Sequence, residues 1–179
     1  MEYINKIEAI VGGWLKNVPH LPAAGQKWLG QNVWWIVLIG AIAAGIGVLG
    51  GLVALFTTIS LVGSLSSTYY VTQTVTSWAV VTAAVSLGFL VLQGLLLAIA
   101  VKPLKDLQKK GWVLLFTTLL VQAASVVVSA VLTLNVAGFL IGIIFGAVGL
   151  AIGAYFVYEI RGQFAQVSKP ATKAAAKKA

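Results

Sequence analysis

The sequence predicts an all-α polytopic membrane protein: a four-transmembrane-helix bundle preceded by an amphipathic interfacial helix. Three observations predict it. Hydrophobic residues make up 60% of the 179 residues and charged residues 9%, against about 25% charged in a soluble domain. Mean hydropathy is +0.99. Residues 28–101 and 111–158 carry no Asp, Glu, Lys or Arg, and each stretch is long enough for two spans of about 20 residues with a turn between them.

Residues 1–32 form the N-terminal segment. Ile4, Ile7, Ile10, Val11, Trp14, Leu15 and Val18 recur at spacings of mostly three and four, with Asn5, Lys6, Glu8, Lys16 and Asn17 on other faces. This pattern predicts an amphipathic helix over residues 1–18, lying in the lipid interface rather than packing beneath the bundle. Pro19-His20-Leu21-Pro22 ends it, because proline lacks the N–H and restricts its predecessor. Residues 23–32 are expected to form a separate short helix. The first strongly apolar run starts at Val33, too late for a cleavable signal peptide.

The transmembrane domain is expected over residues 33–160. Its spans fall at about 33–61, 77–101, 112–134 and 137–158. Trp28, Trp34 and Trp35 sit where the chain enters the bilayer, and Trp112 where the third span begins; with Trp14, they are the expected membrane-interface anchors. Residues 63–76 read as an uncharged Ser/Thr/Tyr loop whose alternation around Tyr69, Val71 and Val75 allows a short extended stretch. Residues 102–111 read as a basic loop, with a helical turn after Pro103. Residues 161–179 read as a basic, disordered cytoplasmic tail of low complexity.

Charge sets the expected orientation. All 12 basic residues lie in three segments: Lys6, Lys16 and Lys27; Lys102, Lys105, Lys109 and Lys110; Arg161, Lys169, Lys173, Lys177 and Lys178. Four spans put all three on one face, which the positive-inside rule makes cytoplasmic. The expected location is the plasma (inner) membrane, with both termini inside. Lys102, Lys105, Lys109, Lys110, Lys173, Lys177 and Lys178 are the candidate contacts to anionic lipid. No base-reading motif accompanies them, so a specific nucleic-acid partner is not expected.

The inventory of chemistry is short. There is no cysteine, which excludes disulfides, Cys-ligated zinc, iron–sulfur clusters and thiol catalysis. One histidine cannot build a His-rich metal site. No Asp, Glu, His, Lys or Arg lies inside an expected span, which argues against proton-coupled pumps, small multidrug exporters with a membrane-embedded acid, and intramembrane proteases. Glu159, at the inner boundary near Arg161, reads as an interfacial ion pair or a snorkelling end. No nucleotide loop, nucleophile elbow or zinc motif appears. The expectation is therefore a non-enzymatic protein with no catalytic, metal or cofactor residue.

Two patterns remain. Gly40, Ala44, Gly47 and Gly51 in the first span, and Gly142, Gly146, Gly149 and Gly153 in the fourth, form small-residue stripes with identical spacing. Such stripes let helix backbones approach closely in lipid. The favoured reading packs the first span on the fourth within one chain; a homo-oligomer seam or pore lining is the alternative. The second pattern is polar. Folding the second and third spans about a centre between Leu107 and Gln108 sets Gln93 opposite Gln122 and Ser86 opposite Ser129. A buried amide needs a partner in hydrocarbon, so these read as interhelical bonds rather than a substrate path.

At Pro19-His20-Leu21-Pro22, Gly25, Lys27, Trp28, Leu29 and Asn32-Val33-Trp34-Trp35, and again at Pro103-Leu104-Lys105 and Lys109-Lys110-Gly111-Trp112, the chain resembles uncharacterised small four-span membrane proteins of reduced-genome bacteria, the Saccharibacteria and their relatives. The resemblance covers most of the chain except the tail and the outer loop. It implies a plasma-membrane four-span architecture and supplies no activity or catalytic residue. Two function classes follow: a structural or accessory protein that binds an unidentified membrane partner, and an oligomeric channel or facilitator for a small solute.

Overall fold

The computed structural model describes Ile10, Gly12–Gly13 and residues 18–68, 73–132 and 136–165. Four long helices make up most of it: α1 (Ala23–Thr68), α2 (Gln73–Lys105), α3 (Lys109–Leu132) and α4 (Val136–Glu159). A short α5 (Arg161–Ala165) follows. Each of α1 to α4 contains a segment long and apolar enough to cross a membrane. The chain is a helical membrane protein of four-helix-bundle architecture. The expected interfacial helix over residues 1–18 lies largely outside the described residues, and what begins at Ala23 is a long apolar helix.

Several boundaries differ from expectation. Residues 23–32 are continuous with the first span, because nothing after Pro22 interrupts the helix: Gln26 N–H already bonds the Pro22 carbonyl at 3.0 Å. At the other end α1 runs to Thr68 and α2 starts at Gln73, so residues 63–68 and 73–76 are helical rather than loop or strand. Ser and Thr are accommodated by returning their hydroxyls to the preceding turn, as Ser64 does to the Leu61 carbonyl at 2.9 Å. The basic segment is also mostly helix, since Lys102 to Lys105 complete α2 and Lys109 and Lys110 open α3.

The reversal between α2 and α3 is tight. Leu107 adopts a positive φ of 51°, its N–H bonds the Leu104 carbonyl at 3.0 Å, and Gln108 N–H bonds the Pro103 carbonyl at 2.8 Å. These are the paired bonds of a Schellman cap, with leucine where glycine is usual. Gly111 then passes against the α2 backbone: a Cβ there would lie 2.7 Å from Leu104 N. A side chain at 111 would force the hairpin open.

Packing follows chain order, α1 on α2, α2 on α3 and α3 on α4, with α5 touching α1, α3 and α4. The first and fourth spans share no comparable interface. This corrects the expected pairing of the two small-residue stripes. A Cβ on Gly47 would lie 3.3 Å from Leu90, and one on Gly51 2.9 Å from Leu87, both on α2; Gly94 of α2 faces Ala44 in return. On α4, Gly146 faces Val126 at 2.6 Å and Gly153 faces Leu119 at 2.8 Å, both on α3, while Gly142 and Gly149 meet nothing within 4 Å. The stripes mark close approach, but each is used by its neighbour in sequence.

The core collects at the end carrying the lysines. Val33, Val37, Ala100, Leu104, Trp112, Leu115, Phe116, Ile160 and Phe164 form one buried cluster. Ile160 and Phe164 are fully buried, so the start of the expected disordered tail is instead a plug of the bundle. Residues 166–179 lie outside the described residues. Most large apolar side chains of α1 and α4 point outward, as lipid-facing surfaces do.

Candidate functional site

The basic end also holds the one buried charged residue among those described, Glu159, whose side chain is 3% exposed. It ends α4 and reaches the Pro19–Pro22 turn that precedes α1. His20 Nδ1 lies 2.6 Å from its Oε1. Leu21 N–H and Gln26 Nε2 donate to its Oε2 at 3.0 and 2.9 Å. Gln26 Nε2 also donates to the Leu21 carbonyl at 3.1 Å. One turn back on α4, the Tyr155 hydroxyl donates to the Pro19 carbonyl at 2.8 Å. Tyr155 and Glu159 are four residues apart and so share one helix face.

The turn has a physical reason to sit there. Two prolines hold it extended, which leaves backbone groups without helical partners. Glu159 and Tyr155 satisfy them from another helix. The first turn of α1 contains no acidic residue of its own, so the Glu159 carboxylate supplies the negative charge favoured near a helix N-terminus. Of the two expectations for Glu159, the snorkelling end is overturned, while the ion-pair contact exists with His20 as its partner. It is neither snorkelling nor exposed, and its bonds go to His20, Leu21 and Gln26. The guanidinium of Arg161 lies over the rings of Trp112 and Tyr158, at 5.9 and 5.8 Å.

Trp112 fastens the neighbouring seam. Its indole N–H donates to the Val157 carbonyl at 2.8 Å, and its ring stacks on Phe116 with centroids 5.4 Å apart. At 3% exposure its ring is part of the buried cluster at this end. Trp28 and Trp35 are exposed, and Trp35 N–H reaches Asn32 Oδ1 at 3.3 Å. Trp34 lies beneath the Lys105 ammonium, 5.3 Å from its ring centroid. Lys102, Lys105, Lys109 and Lys110 are all exposed at this end. Trp14, Lys173, Lys177 and Lys178 lie outside the described residues.

The polar pair in the middle of the membrane is not joined. Gln93 and Gln122 are both half-buried, and among the described residues no hydrogen bond links them. Ser86 is exposed and Ser129 half-buried. At the far end a different bond closes the α2–α3 pair: Trp78 N–H donates to the Leu132 carbonyl at 3.0 Å. No group of three or more His, Cys, Asp or Glu side chains is placed to hold a metal among the described residues.

The arrangement is a clamp. A buried carboxylate, an imidazole, an amide and a phenol tie the entry of the first span to the exit of the fourth. Sequence reasoning placed His20 in a proline turn and Glu159 at a boundary without joining them. The available signal was that the single histidine and the single acid bordering a span both lie beside segments assigned to the same face. Comparison with protein-family models, with curated proteins and with solved structures found no match.

Proposed function

We propose that this chain is a non-enzymatic integral protein of the plasma membrane, with both termini in the cytoplasm, acting as a structural or accessory subunit for a membrane partner. The observation that carries this reading is the clamp. The one buried charged residue among those described has both carboxylate oxygens engaged by the protein's own turn, so its bonding is spent on architecture. Partners of this reading are membrane lipids, anionic lipid at the basic face, and a membrane protein that binds the outward helix faces. Crosslinking in native membranes followed by partner identification tests it: a reproducible stoichiometric protein partner is expected.

The second reading is an oligomeric channel or facilitator for a small solute. It is favoured by Gln93 and Gln122, two half-buried amides at membrane depth with no hydrogen bond between them. An amide in hydrocarbon without a protein partner calls for water or a second copy. Purified protein in liposomes separates the readings. No rise in solute or ion leakage is expected for the accessory protein, and a concentration-dependent rise favours the channel.

A further inference from the structure

A cavity of about 290 Å³ lies between α1 and α2, lined by Ala41, Gly45, Val48, Val91, Gly94 and Leu95. Its lining has no charged or polar side chain. Val91 and Leu95 are 37% and 57% exposed, so the cleft opens sideways from the helix pair. Helical spacing aligns it with the basic end. On α1, Lys27, Trp34, Ala41 and Val48 recur every seven residues along one line. On α2, Val91, Leu95, Ala98, Lys102 and Lys105 recur at alternating steps of four and three along another. The two lines meet where the Lys105 ammonium lies over Trp34.

The distances suit a molecule with a charged head and an apolar tail. From Trp34, Ala41 is about 10 Å and Val48 about 21 Å along the helix, at 1.5 Å per residue. Lys27, Lys102 and Lys105 are exposed. Asp106 offsets one of these charges, its carboxylate reached by Gln108 Nε2 at 3.4 Å, and the balance stays positive. We infer that one anionic phospholipid docks on this face, its phosphate on Lys102 and Lys105 beside Trp34 and an acyl chain in the α1–α2 cleft. The inference rests on the membrane reading above and gives its lipid contact a defined place. The cationic rim selects an anionic headgroup over a zwitterionic one.

Gly45 provides a clean variant. A Cβ there meets nothing within 4 Å, whereas one on Gly94 would press on Ala44 at 3.2 Å. Purified protein in detergent is titrated with phosphatidylglycerol or phosphatidylcholine and weighed intact by native mass spectrometry. One phosphatidylglycerol per chain is expected to be retained in preference to phosphatidylcholine. Lys105→Gln should weaken phosphatidylglycerol retention about fivefold and leave phosphatidylcholine unchanged. Gly45→Leu should weaken both lipids while melting as the wild type does. Equal retention of the two lipids by the wild type overturns the inference. So does wild-type retention in Gly45→Leu, or a lipid-free dimer that Gly45→Leu dissociates, which would make the cleft a seam between copies. Because the measurement is made in detergent, it does not depend on which side of the membrane the basic end faces or on whether the protein leaks solute.

Discussion

His20 Nδ1 stands 2.6 Å from Glu159 Oε1, a contact between residues 139 positions apart. A carboxylate can only accept, so the imidazole carries its proton on Nδ1. The partners differ in what they can lose: the Glu159 side chain is 3% exposed and that of His20 54%.

Removing the carboxylate strands three donors at once. Glu159→Ala is expected to destabilise by about 2–3 kcal/mol, because the Leu21 N–H and the Gln26 amide each lose a hydrogen bond to a charged acceptor. Gln26→Ala should cost about 1 kcal/mol, and His20→Ala less than about 1 kcal/mol, because water replaces an exposed partner. Thermal melting in detergent checks the order. Equal losses for Glu159 and His20 would contradict it.

The α3–α4 seam makes a paired prediction. Gly146→Ala drives a Cβ into the β-branched Val126, whereas Gly142→Ala meets nothing within 4 Å. The first should cost about 1–3 kcal/mol through overpacking. The second should be neutral or slightly stabilising, since alanine is the better helix former. Melting temperatures of the two variants decide it; a destabilised Gly142→Ala together with an unaffected Gly146→Ala would put the seam on the other face.

At the α2–α3 reversal the usual helix ranking should invert. Leu107→Ala and Leu107→Gly both lose the same packing against the core. Only glycine adopts a positive φ without cost. The glycine variant should be the more stable of the two by about 1 kcal/mol. Chemical or thermal denaturation reads the difference, and the opposite order would mean that the turn relaxes out of its left-handed conformation.

Gln93→Leu and Gln122→Leu should add. With no hydrogen bond between the two amides, the double variant is expected to equal the sum of the singles within about 0.5 kcal/mol. A coupling well beyond that would show that the two side chains find each other in the bilayer.

Topology is checked by introduced cysteines, since the chain has none of its own. Lys105→Cys should react with an impermeant thiol reagent only from the cytoplasmic side, and Thr68→Cys only from outside. Labelling of Thr68→Cys from the inside alone would overturn the proposed orientation.

The number of spans was legible because charge is excluded from hydrocarbon, so each of two long uncharged stretches had to hold two spans. Their ends were not, because a helix continues past the bilayer wherever nothing stops it. Thr68 and Gln73 border a segment whose Thr and Tyr residues favour strands in isolation, yet among the described residues no strand stands beside it to pair with. Gly47 and Gly146 announced close packing but not with whom, since a small residue specifies distance and not identity. The clamp was hidden for a related reason: His20 and Glu159 share no spacing, and only the closed bundle brings them together.

That closure has a consequence for how the protein is made. Each span packs on the one before it in the chain, α2 on α1, α3 on α2 and α4 on α3, so a chain inserted in sequence order offers every new span a surface already in the membrane. The Pro19–Pro22 turn has no such neighbour. The partners of its Pro19 carbonyl and Leu21 N–H, Tyr155 and Glu159, are synthesised three spans later, and Ile160 and Phe164, which close the core, follow them. Assembly is thus a relay whose last exchange returns to the first runner, and a chain halted before Tyr155 leaves the Pro19 carbonyl and the Leu21 N–H without these partners.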